Sequence, residues 1–313
     1  MLRPFFLLRI FVPLALLAGL LSVVDVRAAF NLVIGASPVP LIVALALVQV
    51  QIVLAAVRWR LTALSIGQHL GLKRAIFEYY GASLLNLVLP GGVSGDMVRI
   101  ARNHHDEHGK GDLERSAHAV ILERASGQLA FALVAALGLA IWAMTGGDAP
   151  DEAATGVKTI ALIIAGIVAV LLVIATVAHG RVRKALQRFG AALRLAFLRP
   201  KQAVYQLVLS FALVTAYLAV FGLASYAIGA PLDLYQILLF VPPVLLTMLV
   251  PVSVGGWGVR EAAAAALWPL AGYAPSEGVA ASMLYGLVST AGALPGLFAF
   301  DFPNPLRRGR RTS

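Results

Sequence analysis

Long apolar runs alternate with short polar stretches along most of the chain. Runs at 5–24, 39–57, 117–144, 157–178, 203–228 and 278–300 each approach the roughly 20 residues a helix needs to cross a hydrocarbon core. A barrel strand needs only about 9–11 residues and alternates its polarity. The pattern therefore predicts an all-α integral membrane protein, a polytopic bundle of about six spanning helices. It forms one membrane domain over 1–313 with no soluble domain. The first run begins within "MLRPFFLLR" and is longer than the apolar part of a secretory signal, and Arg9 interrupts its early part. It is read as a retained helix.

Composition agrees with this reading. The chain is 60% hydrophobic and 13% charged, with a mean hydropathy of +0.86. The net charge of +10 would suit nucleic acid, but its placement has a topological explanation. The stretches 3–9, 58–74, 99–115, 181–201 and 307–311 hold 21 of the 25 lysines and arginines. The intervening loops at 25–38, 145–158 and 229–234 carry Asp25, Asp148, Asp151, Glu152 and Asp233 against Arg27 and Lys158. This is the positive-inside bias, with basic loops and both termini on the cytoplasmic side of an inner (plasma) membrane, touching anionic lipid head groups. Nucleic acid is not an expected partner. Cysteine is absent, which excludes disulfides, thiolate nucleophiles and cysteine metal sites.

Two apolar stretches do not fit a simple count. The stretch 75–98 has basic residues on both sides; 235–271 lies between Asp233 and Glu277. A single crossing by either would spoil the charge alternation, whereas two re-entrant, broken helices preserve it. Both contain a break, "VLPGGVSGDMVR" at 88–99 and "VPVSVGGWGVRE" at 250–261. Pro90, Gly95, Val98 and Arg99 recur as Pro251, Gly256, Val259 and Arg260 at a constant offset of 161 residues. Three spanning runs separate the two breaks, and an odd number inverts the second copy. Inverted repeats over roughly 39–144 and 203–300 are expected, with the breaks facing each other around a polar cavity near the midplane.

Proline and glycine end one half-helix and permit the turn into the next. The new half-helix starts near Ser94–Gly95 with unpaired N–H groups and a partly positive end. Arg99 follows one turn on, and a guanidinium beside free N–H groups suits phosphate or carboxylate. Gly256 and Arg260 repeat the arrangement. Asp96 and Glu261 either take part or simply neutralise their neighbouring arginines. Glu123 and Arg124, in "LERASGQ" (122–128), lie inside the third spanning run, where charges should face the bundle interior. The expected substrate-binding set is Arg99, Arg260, Gly95, Gly256, Glu123, Arg124, Asp96 and Glu261. "RWR" at 58–60 follows the second run and needs only an interfacial, topological role. "NHHDEH" at 103–108 reads as a solvated loop rather than a metal site. The basic segment 181–201 reads as an amphipathic surface helix. No cofactor or metal is expected.

"RW" at 58–59, "LPGGVSGDMVR" at 89–99, "LER" at 122–124 and "SVGGWGVREAA" at 253–263 together resemble the flippase-like membrane family. That family includes the transmembrane domain of lysylphosphatidylglycerol synthase. The resemblance implies a protein that moves lipids or lipid-linked groups between leaflets. It would be a stand-alone member without the aminoacyltransferase domain, so that domain's substrate does not transfer. Stand-alone relatives are associated with polyprenyl-linked glycan and hopanoid pathways.

Three functions follow. The first is translocation of an anionic or phosphate-bearing membrane lipid, downhill or gradient-driven, since no P-loop is present. The second is a membrane-embedded glycosyl or acyl transferase using Glu78, Asp96, Glu123 or Glu261 as base. The third is a non-catalytic scaffold partnering a lipid-biosynthesis enzyme.

Overall fold

A computed structural model describes residues 24–89, 92–103, 112–144, 180–197, 199–249 and 254–300. The expected spans at 5–24 and 157–178 lie outside the described residues, as does most of 103–108. Every element among the described residues is helical: α1 (Val26–Ile34), α2 (Pro38–Ser65), α3 (Leu72–Val88), α4 (Ser94–Asn103), α5 (Leu113–Met144), α6 (Arg181–Phe197), α7 (Pro200–Ala227), α8 (Leu234–Leu246), α9 (Val259–Leu267) and α10 (Pro275–Ala293). A 3₁₀ turn, Thr247–Leu249, extends α8, and another, Leu294–Phe300, extends α10. Four helices, Pro38–Ser65, Leu113–Trp142, Lys201–Ala227 and Pro275–Ala299, are long and apolar enough to cross a membrane. They correspond to four of the six expected runs.

Local chemistry sets the helix ends. Asp25 accepts from the Ala28 N–H at the start of α1. Asp233 and Gln236 exchange side-chain and backbone hydrogen bonds at the start of α8, a reciprocal cap that satisfies two otherwise unpaired donors. Proline opens α2, α7 and α10, where its missing N–H costs no hydrogen bond. Pro242 and Pro243 lie inside α8. They withhold two N–H donors from it, and the helix gives way to its 3₁₀ turn within a few residues.

The hairpins are the fold's main departure from simple spans. α3 and α4 enter and return at one end of the bundle: Arg74 Nη2 donates to the Arg102 carbonyl at 2.7 Å, and Gln68 Nε2 to the Asn103 carbonyl at 2.5 Å. Arg188 pairs with Glu114 at 2.7 Å at the same end. α8 and α9 enter and return at the opposite end, where Gln236 Nε2 donates to the Ala271 carbonyl at 3.4 Å. There the Ser37 N–H also meets the Ala227 carbonyl at 2.8 Å. The basic segments thus gather at one end, and Asp25, Asp233 and Glu277 serve helix starts.

Two large buried clusters, with a smaller one around Val24, Ala29, Ala265, Val279 and Ala280, hold the described bundle together. One lies between α2, α7, α8, α9 and α10 and includes Val241, Val244, Leu218 and Phe221. The Phe221 ring packs tilted against Trp268 and Tyr285, with centroids 5.4 and 5.1 Å away, a geometry aromatic pairs favour. The other lies at the basic end around Trp59, Ala63, Val120 and Leu122, and takes in Ala192 and Ala196 of α6. Outward-facing Ile42, Leu129, Leu133, Leu207 and Phe211 are exposed, as lipid-facing positions should be.

Candidate functional site

The two breaks meet. A side chain at Gly255 would run into the Leu87 carbonyl, and Gly92 lies against the Met248 carbonyl. The polypeptide passes Gly255 and Gly256 at φ +57° and +83°, values that L residues with a Cβ avoid. Gly256 faces the Met248 side chain. Gly95, at the first break, lies so close to the Ala82 carbonyl of α3 that a Cβ there would collide.

Ser94 starts α4, as the sequence predicts, but its first N–H groups are not free. Gly95 N–H donates to Asn86 Oδ1 of α3 at 2.8 Å. Asp96 and Met97 donate to the Val93 carbonyl. At the second break, Gly258 N–H donates to Glu261 Oε2 at 2.6 Å. The N–H groups named here are therefore already paired within the protein.

At the first break the side chains form one network. Arg99 is buried and its Nη2 donates to Asp96 and, at 3.5 Å, to Glu123 Oε2. Arg124 Nη1 lies 2.7 Å from Asp96 Oδ2, and its Nη2 donates to the Gly92 carbonyl at 2.9 Å. Arg124 is the outermost member, about one-third exposed at 34%. Glu123 is also paired with Arg58 of α2 and accepts from the Tyr79 hydroxyl at 3.3 Å. The Arg99 guanidinium lies over Trp59 and Tyr79, 4.8 and 4.4 Å from their ring centroids. Such stacking is favourable for a desolvated cation. The structure thus brings together Arg99, Asp96, Glu123, Arg124 and Gly95 from the expected set.

Arg58 and Trp59 correct the sequence reading. The second run does not stop at 57; α2 continues to Ser65, because no glycine or proline intervenes before Gly67. "RWR" is therefore inside the helix. Arg58 and Trp59 are buried, and Gly127 of α5 leaves room for the Arg58 guanidinium. Their signal was an arginine and a tryptophan on an uninterrupted helical pattern, obscured by reading the charge as the helix end.

At the second break, Arg260 is buried and its Nη2 donates to Glu261 Oε1 at 2.7 Å. Its Nε donates to Ser282 Oγ of α10 at 2.8 Å, and Ser282 in turn donates to Glu261 Oε1 at 2.8 Å. The guanidinium lies over Trp257 and Tyr285, 5.2 and 5.1 Å from their centroids. Gly286 admits it against α10. Glu78, a candidate base, instead shares the single Arg102 Nε–H between its two oxygens, at 2.9 and 3.0 Å.

Spanning helices, two opposed hairpins and buried arginines at their breaks define a polytopic helical membrane protein. The family profile described as lysylphosphatidylglycerol synthase TM region matches residues 7–296, and the chain belongs to that family. Membership makes it a membrane protein related to lipid modification or translocation. No curated protein and no solved structure gives a significant match.

Proposed function

We propose that the chain is a flippase-like translocase that moves an anionic or phosphate-bearing lipid between leaflets. One observation carries the reading. Around the first break, Arg58 Nε, Trp59 Nε1 and the Nε and Nη1 of Arg99 are buried without an acceptor among the described residues. Native interiors pair nearly all such atoms, and an unmet buried donor costs about 1–3 kcal/mol. All four are donors, and a phosphate offers only acceptors. The lipid tail stays in hydrocarbon while the head group passes between the breaks.

Arg99, with Asp96, Glu123, Arg124 and Gly95, is the first station of this path. Arg260, with Glu261 and Gly256, is the second, reached when the other break opens. Its Nη1 also lacks an acceptor among the described residues. The constant offset, the arginine over two rings at each break and the opposed hairpins support an inverted repeat. A transferase would need a carboxylate base, but Glu78, Asp96, Glu123 and Glu261 are each paired with an arginine. That favours translocation.

Exchange of a labelled phosphatidylglycerol across proteoliposome leaflets tests the reading. Wild-type protein should accelerate exchange over protein-free vesicles, and absence of acceleration with folded protein would sink it. The basic end of the bundle is proposed as cytoplasmic, in a bacterial-type inner membrane. With no native cysteine, single cysteines at exposed Lys73 and Arg115 should label from the cytoplasm, and at exposed Asp233 and Ala274 from outside. Opposite labelling within either pair would overturn the hairpin topology.

A further inference from the structure

The charge count at the first break is uneven. Arg58, Arg99 and Arg124 face only two carboxylates, Asp96 and Glu123, through four ion pairs. Glu78 and Arg102 pair beside this network and leave its balance unchanged. At the second break, Arg260 and Glu261 balance one another. The first network therefore carries one surplus formal positive charge among the described residues. An excess charge held at membrane depth is costly unless a counter-charge joins it.

We infer that the first network is tuned to a lipid whose head group bears a single negative charge on a phosphodiester. One such anion would neutralise the surplus, and its oxygens would accept from the buried Arg99 Nε and Nη1 and Trp59 Nε1, which have no acceptor among the described residues. A dianionic phosphomonoester would overfill the network. A zwitterionic head group would bring a cation to a site that already has one too many. Arg124 provides the entrance: it is the exposed member, bridging Asp96 and the Gly92 carbonyl across the break. Its guanidinium can transfer from Asp96 to the arriving phosphate without leaving the site.

This inference rests on the translocase reading above, and the test separates the two. The purified full chain in phosphatidylcholine nanodiscs is offered phosphatidylglycerol or phosphatidic acid of matched acyl chains at pH 8, and retained lipid is read by native mass spectrometry. Wild-type protein should prefer phosphatidylglycerol over both phosphatidic acid and phosphatidylcholine by about tenfold, the value of one charge-assisted hydrogen bond. Arg124→Gln, which removes the surplus charge at an accessible position, should abolish preference over phosphatidylcholine, while Arg124→Lys should keep it. Asp96→Asn, which adds a surplus charge, should shift preference toward phosphatidic acid.

Water-soluble glycerophosphoglycerol should not displace the lipid; displacement would assign the site to a free phosphodiester and overturn the lipid assignment. No preference of wild-type protein for either anionic lipid over phosphatidylcholine would remove the anionic-lipid reading itself. Equal retention of both anionic lipids, or a preference unmoved by Arg124→Gln, would overturn only the single-charge inference. Arg124→Gln decides the matter even where Asp96→Asn fails to fold.

Discussion

The two breaks hold the same residue in the same aromatic setting but connect it differently. Arg99 is the sixth residue of α4, whereas Arg260 is the second of α9. Asn86, on the preceding half-helix, caps α4, while Glu261 reaches back to cap its own helix. The Arg99 network links α2, α3, α4 and α5. The Arg260 group is confined to Trp257 and Gly258 just before α9, to α9 itself and to its neighbour α10. A shared motif thus supports a distributed, charge-rich site at one break and a local, balanced one at the other. Under the proposed translocation, opening the first break would rearrange ion pairs on several helices, and a head-group anion would take part in that exchange. Movement of the second can carry its compensating carboxylate with it.

The largest expected contrast is in lipid exchange. Arg99→Ala removes the guanidinium shared by Asp96 and Glu123 and should slow exchange by about ten- to a hundredfold, from the loss of charge-assisted hydrogen bonds. Arg260→Ala should slow it by less, about tenfold at most per folded molecule. Arginine's planar fork is not reproduced by lysine, so Arg99→Lys should remain impaired. Equal losses at the two positions in the proteoliposome assay would break the comparison.

Stability should separate the carboxylates next. Glu123→Gln leaves Arg58 and part of Arg99 without a buried counter-charge, at about 3–5 kcal/mol. Glu261→Gln strips one buried arginine, Arg260, of its counter-charge but keeps an oxygen for the Gly258 N–H, and should fall at the lower end of that range, about 3 kcal/mol. Reversible denaturant unfolding in micelles measures both, and a larger loss at Glu261 would place the principal structural network at the second break.

The smallest contrast concerns the glycines. Gly95→Ala forces α4 away from the Ala82 carbonyl, at about 1–3 kcal/mol for overpacking, and a larger side chain should be worse. Gly256→Ala meets left-handed backbone strain of about 1–2 kcal/mol, compounded by the movable Met248 side chain. Asparagine, which tolerates positive φ, should be accepted better at 256 than at 95. The same unfolding midpoints test this, and the reverse order would mean that packing rather than backbone conformation limits the second break.

Much of the fold was legible in the sequence because its causes are local or compositional. Apolar length marked α2, α5, α7 and α10, and Gly/Pro placement marked both breaks. Charge alternation predicted hairpins opening at opposite ends. Arg99, Asp96, Glu123 and Arg124 were legible as membrane-depth charges, and the Asp96–Arg99 and Glu261–Arg260 pairs were among the readings, but the pairing of Glu123 with Arg58 and of Arg124 with Asp96 was not. Arg58 was missed because a charged residue after an apolar run normally signals the interface. Tyr79, Asn86 and Ser282 left no signal, since each matters only through a partner on another helix.

The sequence by itself determined a membrane-embedded helical protein with two broken hairpins, because hydrocarbon demands long apolar helices and a break needs residues that free the backbone. Only the tertiary structure decided which charges meet. Glu123 joins Arg58 from 65 residues away and Arg99 from 24 residues away. Helix periodicity says which side of a helix a residue occupies, but not which neighbour that side will face. Those choices come from how α2, α3, α4 and α5 pack, and among the described residues packing joins three arginines to two carboxylates at the first break and one arginine to one carboxylate at the second.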